Sequence, residues 1–202
     1  MAHRKAIMAK GNRWKDHYTD RAREEKWLAR SVYKLEEIDK KYRLIRKGCK
    51  LMDLGCYPGS WTQYCIKKSQ SGKIIGVDLK KPERFTSPNF RFIQADILDL
   101  DVKWLADESG EMDLVISDLA PKTTGIGVAD ASRSMELSEK ALEIALTVLK
   151  INGHFLCKIF EGEDLKEFKD RTNSYFKRVQ LIRPAAVRKR SREVYLLGLN
   201  KK

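Results

Sequence analysis

Three aspartates stand where β-strands are predicted to end, and their side-chain type limits what can bind beside them. Asp53 closes an apolar run, and Asp78 and Asp96 close the next two predicted strands. The carboxyl ends of parallel strands meet at one edge of a sheet, so these carboxylates are expected to lie close together. They would repel a phosphate and would accept hydrogen bonds from hydroxyl, amino or ammonium groups.

A turn from Gly55 to Gly59 follows Asp53 and leads into an amphipathic segment that contains Trp61. A dinucleotide-binding fold uses Gly-x-Gly-x-x-Gly at this point to bring its backbone close to a pyrophosphate. That pattern is missing here, and Asp53 would oppose a pyrophosphate. The turn therefore favours S-adenosylmethionine, which has adenosine, sulfonium and ammonium groups but no phosphate, over a nicotinamide dinucleotide and an oxidoreductase function.

The aspartates can be given separate roles toward S-adenosylmethionine. Asp78 can accept hydrogen bonds from both ribose hydroxyls, as an acidic residue about 20 positions beyond the glycine turn does in dinucleotide-binding folds. Asp96 is placed to accept a hydrogen bond from the adenine amino group. The residues predicted to bind the cofactor are Asp53, Gly55, Gly59, Trp61, Asp78 and Asp96.

A second group of charged residues is predicted beside the cofactor edge of the sheet. Asp118 follows the fourth predicted strand, Glu193 begins the last one, and Lys34 lies on a predicted helix near the N-terminus. Lys158 stands inside an otherwise apolar strand, where burying an ammonium group is costly unless a carboxylate pairs with it. Lysines and carboxylates in this setting are suited to holding or moving a proton.

Alternating strands and helices must position these side chains. The predicted strands cover residues 50–54, 73–78, 90–94, 112–117, 153–160, 177–182 and 194–199; the predicted helices follow Ser31 and cover 60–69, 102–106, 132–149 and 164–175. This order predicts an α/β, Rossmann-like fold with a mostly parallel sheet and helices on both faces. The last two of the seven strands leave no room for a helical crossover, so they are predicted to form an antiparallel edge hairpin.

Charge is distributed unevenly along the 202 residues, which carry a formal net charge of +13. Segments 1–50 and 151–202 carry +9 and +7, whereas segment 51–150 carries −3. A mildly acidic core between two basic ends predicts that a nucleic acid lies across a surface made by both ends. The residues expected to contact its phosphates beside Glu193 are Arg183, Arg188, Lys189, Arg190 and Arg192.

Residues 1–30 are predicted to form a basic N-terminal arm with a helical portion and a scattered set of aromatic residues that includes Trp14, and residues 31–202 a single domain. No apolar run approaches the ~20 residues of a membrane-spanning helix and no secretory signal is visible, so a cytoplasmic protein is expected. The four cysteines show no metal-ligand spacing. Free thiols and no metal site are therefore predicted.

Four separated motifs are similar to those of the FtsJ/RrmJ family of ribosomal RNA ribose 2′-O-methyltransferases. They are Ser31–Leu35, Asp53–Trp61, Ser117–Pro121 and Ser191–Tyr195, and the resemblance covers nearly the whole chain. It implies an S-adenosylmethionine-dependent methyltransferase fold. It implies a catalytic tetrad of Lys34, Asp118, Lys158 and Glu193. It implies cofactor binding by Gly59, Trp61, Asp78, Asp96 and Asp118.

Three sites depart from the family pattern. Ser60 stands where a second glycine is usual, Cys56-Tyr57 replace small residues, and Lys122 stands where an asparagine is common. These positions lie in the predicted cofactor loop and at the predicted substrate mouth. They are expected to affect affinity more than chemistry.

The resemblance implies transfer of a methyl group to a ribose 2′-hydroxyl of RNA. Lys158 would remove the hydroxyl proton, or would hold the oxygen in line while the proton leaves late. Within the family, the compact chain favours the branch that acts on rRNA. The resemblance then implies a uridine of 23S rRNA as the target, within the large ribosomal subunit or its precursor, and a contribution to ribosome assembly; a monomer is expected. Methylation of tRNA or of mitochondrial rRNA, and an inactive RNA-binding assembly factor, remain alternatives.

Overall fold

A computed structural model describes residues 17–82 and 87–202 of the chain. Its centre is a seven-stranded sheet with the strand order β3-β2-β1-β4-β5-β7-β6. The strands are β1 (Leu51–Leu54), β2 (Ile74–Asp78), β3 (Phe90–Gln94), β4 (Met112–Ser117), β5 (Leu149–Phe160), β6 (Phe176–Ile182) and β7 (Glu193–Lys201). The helices are α1 (His17–Glu24), α2 (Val32–Tyr42), α3 (Ser60–Ser69), α4 (Val102–Ser109), α5 (Gly127–Val148) and α6 (Leu165–Tyr175).

The sheet is parallel except at the edge that carries the last two strands. β3, β2, β1, β4 and β5 run parallel, and β7 is antiparallel to both β5 and β6. This arrangement confirms the predicted fold class, including the antiparallel edge hairpin. Because β7 inserts between β5 and β6, it lies directly beside the strand that carries Lys158.

Helices cover both faces of the sheet, and alternate strand residues supply the two cores. Met52 and Val115 belong to a buried cluster with residues of α4, α5 and α6. Their strand neighbours Leu51 and Leu114 belong to a second cluster with residues of α2 and α3. Near-continuous apolar runs of this kind are expected for parallel strands buried on both faces.

The described part of the predicted N-terminal arm packs on the α2–α3 face. Ala22 of α1 is buried in that cluster, and the ring of Trp27 lies 6.2 Å from the ring of Tyr64. Trp14, with the rest of residues 1–16, lies outside the described residues. Ser31 precedes α2 as predicted, but its side chain forms no cap and instead lies 2.9 Å from Ser60 Oγ.

The longest helix, α5, begins at Gly127, which is earlier than the predicted start at residue 132. The prediction missed this first turn because Gly127 and Val128 are exposed and give no apolar periodicity. The chain before the helix is instead fixed by a polar contact: the Asp130 carboxylate accepts hydrogen bonds from the backbone of Thr124 and Gly125.

Within residues 17–82 and 87–202, no helix is long and apolar enough to cross a membrane. The same residues contain no group of three or more His, Cys, Asp or Glu side chains that could hold a metal ion. Cys49, Cys56, Cys65 and Cys157 are buried free thiols.

Candidate active site

Three of the four predicted tetrad residues come from adjacent strands. Asp118 directly follows β4, Lys158 lies near the end of β5, and Glu193 begins β7. In the antiparallel β5–β7 pair, Glu193 is the register partner of Phe160, so it starts β7 where β5 ends. Lys34, on α2, reaches the same place from the helical layer.

The tetrad forms two ion pairs. Lys158 Nζ lies 3.0 Å from Asp118 Oδ1 and donates to the Asp118 carbonyl at 2.7 Å. Lys34 Nζ lies 2.5 Å from Glu193 Oε1. The side chains are largely buried, with exposed fractions of 7% for Lys158 and 12% for both Lys34 and Glu193. Each lysine therefore has the carboxylate partner that its burial requires.

Tyr195 joins the two ion pairs, although no role is predicted for it from the sequence. Its Oη lies 2.8 Å from Asp118 Oδ1 and 2.6 Å from Glu193 Oε1. A hydroxyl has one hydrogen, so it donates to one carboxylate at a time. Tyr195 is two residues beyond Glu193 on β7 and so shares its face, a spacing that could have indicated the contact.

The ammonium groups of the two lysines keep the buried Asp118 carboxyl ionised. Burial alone would raise the pKa of Asp118, but the ammonium groups of Lys158 and Lys34 and the Tyr195 hydroxyl outweigh burial and leave that pKa below its usual value. Burial, followed by the carboxylates of Asp118 and Glu193, raises the pKa of Tyr195 well above its usual value. Asp118 is therefore an anion and Tyr195 a neutral hydrogen-bond donor at neutral pH.

A cleft of about 500 Å³ opens beside Asp118 at the carboxyl ends of β1, β2 and β4. Its charged lining residues are Asp78, Asp96, Asp118, Glu136, Lys122 and Arg133. Acids outnumber bases, as expected for a ligand without phosphate groups. Asp78 accepts hydrogen bonds from the backbone N–H groups of Tyr57 and Lys80, which ties the glycine turn to β2.

Gly55 lines the cleft, and its position excludes a larger residue. Its φ is +79°, and a Cβ atom there would lie 2.9 Å from Leu119 Cδ2. The close approach brings the β1 turn against the Asp118–Leu119 segment. Gly55 thus shapes the wall between the cleft and the tetrad.

Two residues predicted to bind the cofactor lie behind the cleft. Asp53 has no exposed surface, and one of its oxygens accepts a hydrogen bond from Thr62 Oγ1 at 2.6 Å. Trp61 is 3% exposed, donates from Nε1 to the Ser31 carbonyl at 2.8 Å, and packs against the Tyr195 ring. Neither lines the cleft, because both side chains point into packed layers that support the turn.

Gly59 is also buried and lies outside the residues that line the cleft. It precedes α3 with φ +116°, a conformation that favours glycine. Gly55, Asp78, Asp96 and Asp118 are the predicted cofactor residues that line the cleft itself.

The β6–β7 loop, which carries the predicted RNA-binding residues, is held against the N-terminal helices. Glu37 of α2 accepts a hydrogen bond from the Ala185 backbone at 2.8 Å, and Arg30 donates to the Ala186 carbonyl. Among the described residues, the N-terminal segment around Arg30 and Glu37 and the β6–β7 loop therefore meet on one surface, near Lys34 and Glu193.

Within this loop the basic residues differ in their contacts. Arg183 pairs with Glu161 and donates to the Ser191 carbonyl, and Arg192 donates to the Glu161 carbonyl at 2.5 Å. These two arginines hold the loop against the end of β5. Arg188, Lys189 and Arg190 are exposed at its tip.

Comparison with known proteins places this geometry in a family. A family model described as FtsJ-like methyltransferase matches residues 27–201. The chain belongs to the FtsJ-like methyltransferase family.

Relatives and a solved structure agree with this assignment. The chain is 45% identical over 192 residues to ribosomal RNA large subunit methyltransferase E of Desulfatibacillum aliphaticivorans, covering 95% of this chain and 93% of the relative. It is also 45% identical to the protein of that name from Bdellovibrio bacteriovorus, covering 93% and 97%. A crystal structure of a protein designated a ribosomal RNA methyltransferase, from Plasmodium falciparum, superposes with a TM-score of 0.75 at 28% identity, covering 87% of this chain and 98% of that one.

The three departures from the FtsJ-like pattern have visible surroundings. Ser60 is buried beside Ser31, and Cys56 is buried near Gly76, where a Cβ would lie 2.8 Å from the Cys56 sulfur. Tyr57 and Lys122 lie on the cleft wall, with Tyr57 49% exposed. Of these four residues, only Tyr57 and Lys122 are therefore placed to alter ligand contacts directly.

Proposed function

We propose that this protein transfers a methyl group from S-adenosylmethionine to a ribose 2′-hydroxyl of RNA, with a uridine of 23S rRNA as the substrate. The observation that carries the proposal is the buried network Lys158–Asp118–Tyr195–Glu193–Lys34 beside an acid-lined cleft. The curated relatives cited above are named as large-subunit rRNA methyltransferases, which supports the choice of RNA.

The cleft residues fit S-adenosylmethionine chemically. Asp78 and Asp96 retain acceptor capacity beyond their present hydrogen bonds, so they can accept from ribose hydroxyls and from the adenine amino group. The exposed apolar side chains of Leu79 and Leu98 also line the cleft and can pack on an adenine ring. When bound, the cofactor supplies a methyl group attached to a sulfonium sulfur. The sulfur is a good leaving group because it departs as a neutral thioether.

The protein must then align the ribose oxygen and accommodate its proton. Lys158 uses two contacts on Asp118, the carboxylate and the carbonyl, and so has one further position on Nζ for the ribose oxygen. Through that position Lys158 would hold the ribose oxygen in line. The hydroxyl proton would leave to solvent as the bond from the oxygen to the methyl group forms and the bond from the sulfur to the methyl group breaks. Lys34 and Glu193 fix the second side of the hydroxyl position. Alignment of this kind is a large source of rate enhancement.

The basic surface accounts for RNA binding in this proposal. Arg188, Lys189 and Arg190 contact phosphates next to the target ribose, while Arg183 and Arg192 hold the loop in place. The substrate is rRNA of the large subunit or its precursor, and the enzyme acts as a cytoplasmic monomer. An inactive RNA-binding assembly factor is the alternative, and the complete tetrad, with both ion pairs formed, argues against it.

Replacing Lys158 tests the proposal. Lys158→Met is expected to lower methyl transfer to rRNA by about 10²- to 10⁴-fold while the dissociation constant of S-adenosylmethionine stays within about twofold of wild type. Lys201→Met is the matched control, because Lys201 is a partly buried lysine on β7 that donates to the Leu146 and Leu149 carbonyls. Its turnover should remain.

Mapping of 2′-O-methyl groups identifies the target. Ribosomal RNA and tRNA from cells with and without the protein are compared, and large subunits from the deletion strain are then treated with purified enzyme. A single ribose of the large-subunit rRNA should be restored. Retained turnover of Lys158→Met, or a missing mark confined to tRNA, would overturn the corresponding part of the proposal.

A further inference from the structure

We propose that Ile126 and Val128 form an apolar prong that packs against a nucleobase flanking the target ribose; this inference rests on the RNA substrate of the proposed function. The two side chains are 65% and 81% exposed. They flank the start of α5, at the end of the segment that leaves the cleft after Lys122.

The prong is exposed on a fixed loop. The Asp130 carboxylate accepts hydrogen bonds from Thr124 N at 2.8 Å, from Thr124 Oγ1 at 2.9 Å and from Gly125 N at 3.2 Å. These bonds lower the pKa of Asp130, with the Thr124 N–H as the main cause, so the acid keeps its charge. Ile126 is further held because its N–H lies 3.3 Å from Thr124 Oγ1 and its carbonyl accepts from Asp130 N. The exposed positions of Ile126 and Val128 are thus held by the hydrogen bonds of the Asp130 turn.

The body of the helix that follows the prong packs against β5, the strand that carries Lys158. Along α5, Ser138 Oγ donates to the Lys158 carbonyl and Ser134 Oγ accepts from Phe160 N. The helix then continues past the end of β5 to Gly127. From Ser138 to Gly127 the helix extends about 16 Å at 1.5 Å per residue, so the prong lies beyond the target nucleotide and faces its neighbours.

The charges around the prong favour RNA as the partner. At Gly127 an added Cβ would lie 2.6 Å from the Arg192 guanidinium, so the basic β6–β7 loop borders the prong directly. Lys122, earlier in the same segment, and Arg133, on the second turn of α5, line the cleft wall, and Arg133 donates to the Lys122 carbonyl. Two exposed aliphatic side chains with cationic groups on the neighbouring segments match a nucleobase flanked by phosphates. Proteins use such aliphatic side chains to pack on, or insert between, unstacked bases.

The test combines loss of the prong with loss of single bases in the RNA. Wild type and the double variant Ile126→Thr/Val128→Thr, which keeps β-branched residues, are compared on an rRNA stem-loop with the target uridine. They are also compared on copies in which each of the flanking nucleotides in turn is abasic. The variant should lose about tenfold or more in kcat/KM on the intact RNA, while its Tm and its affinity for S-adenosylmethionine are unchanged. One abasic position should cost wild type the same factor and cost the variant nothing further.

The experiment includes a matched control variant and a measurement of RNA binding. Ile151→Thr replaces a residue 61% exposed in the early part of β5, away from the strand ends that carry the tetrad, and should leave all rates unchanged. Equal rates for wild type and variant on intact RNA would overturn the inference. So would a loss that no abasic position reproduces, which would indicate a protein partner. The dissociation constants of the same RNAs are measured in parallel. Base-dependent binding without methylation of either the stem-loop or large subunits from the deletion strain would refute the proposed function and keep the prong.

Discussion

Lys158 and Tyr195 are register partners across the antiparallel β5–β7 pair, and both contact the same carboxylate oxygen. Asp118 Oδ1 lies 3.0 Å from Lys158 Nζ and 2.8 Å from Tyr195 Oη. Tyr195 has no exposed surface, so packing fixes the position of its ring and hydroxyl. The hydroxyl therefore restrains the Asp118 carboxylate, which in turn restrains the Lys158 ammonium group. Tyr195 is therefore a positioning residue for the proposed reaction.

Tyr195→Phe removes this hydroxyl and little else. Methyl transfer is expected to fall by about 10- to 100-fold, because small misplacements of a reacting group have effects of that size. The pKa of Asp118 should rise, since the Tyr195 hydrogen bond is one of the contacts that lower it. The activity lost should appear in kcat, measured in single turnovers across pH, with cofactor affinity unchanged.

Tyr64→Phe is the control for Tyr195. Tyr64 is also buried, and its hydroxyl donates to the Asp39 carboxylate at 2.9 Å in the α2–α3 layer. Both variants should lose a similar ~1.5–3 kcal/mol of stability, the usual effect of a hydrogen bond to a charged group. An equal loss of kcat in Tyr64→Phe would show that Tyr195 acts through stability alone.

Asp53→Asn should change how stability depends on pH. Burial raises the pKa of Asp53 to about 7, and one of its oxygens has no hydrogen-bond partner. Between about pH 4 and 7 the folded state therefore holds a proton that the unfolded state has released. The free energy of unfolding should fall with rising pH in this window by up to about 1.4 kcal/mol per pH unit.

Asp53→Asn has no carboxyl group to titrate at this position, so it lacks this loss of stability at rising pH. Between pH 5 and pH 7.5 the free energy of unfolding of wild type should therefore fall relative to that of the variant. Urea unfolding at several pH values measures it. The exposed Asp107→Asn is the control and should follow wild type. Parallel curves for Asp53→Asn and wild type would contradict the prediction.

Asp78→Asn and Asp96→Asn should weaken cofactor binding. Each substitution replaces a charged acceptor on the cleft wall, and losing a hydrogen bond to a charged group corresponds to about a 10- to 150-fold rise in Kd. Isothermal titration with S-adenosylmethionine measures the change. Asp99→Asn, an exposed aspartate three residues beyond Asp96 that does not line the cleft, should bind as wild type does.

The tip of the β6–β7 loop should determine the salt dependence of RNA binding. Replacing Arg188, Lys189 and Arg190 by Gln removes up to three phosphate contacts, so the slope of log K against log salt should decrease in magnitude by about 2 to 3. Replacing the exposed lysines Lys103, Lys166 and Lys177 by Gln removes equal charge elsewhere. An unchanged slope in the first variant, or equal changes in both, would place the RNA on another surface.

Much of the fold follows from local signals. Apolar runs alternating with amphipathic segments predicted all seven strands, because strands buried on both faces are continuous apolar stretches. The edge hairpin followed from the shortness of residues 183–193. The start of α5 was misplaced because its first turn is exposed, and its position depends on Asp130 rather than on apolar spacing.

The sequence by itself indicated Asp118, Lys158 and Glu193 as candidates, since a lysine in an apolar strand and acids at strand ends are visible in one dimension, whereas Lys34 was predicted from the resemblance to the family's motifs. Only the tertiary structure decided how they meet. The placement of β7 between β5 and β6 puts Glu193 beside Lys34 and Tyr195 between the two carboxylates. Tertiary packing also places Asp53 and Trp61 behind the cleft. Whether a side chain in β1 or in the turn and helix that follow it faces the ligand or the core depends on the elements packed against it, here Thr62 of α3 and the Ser31 backbone.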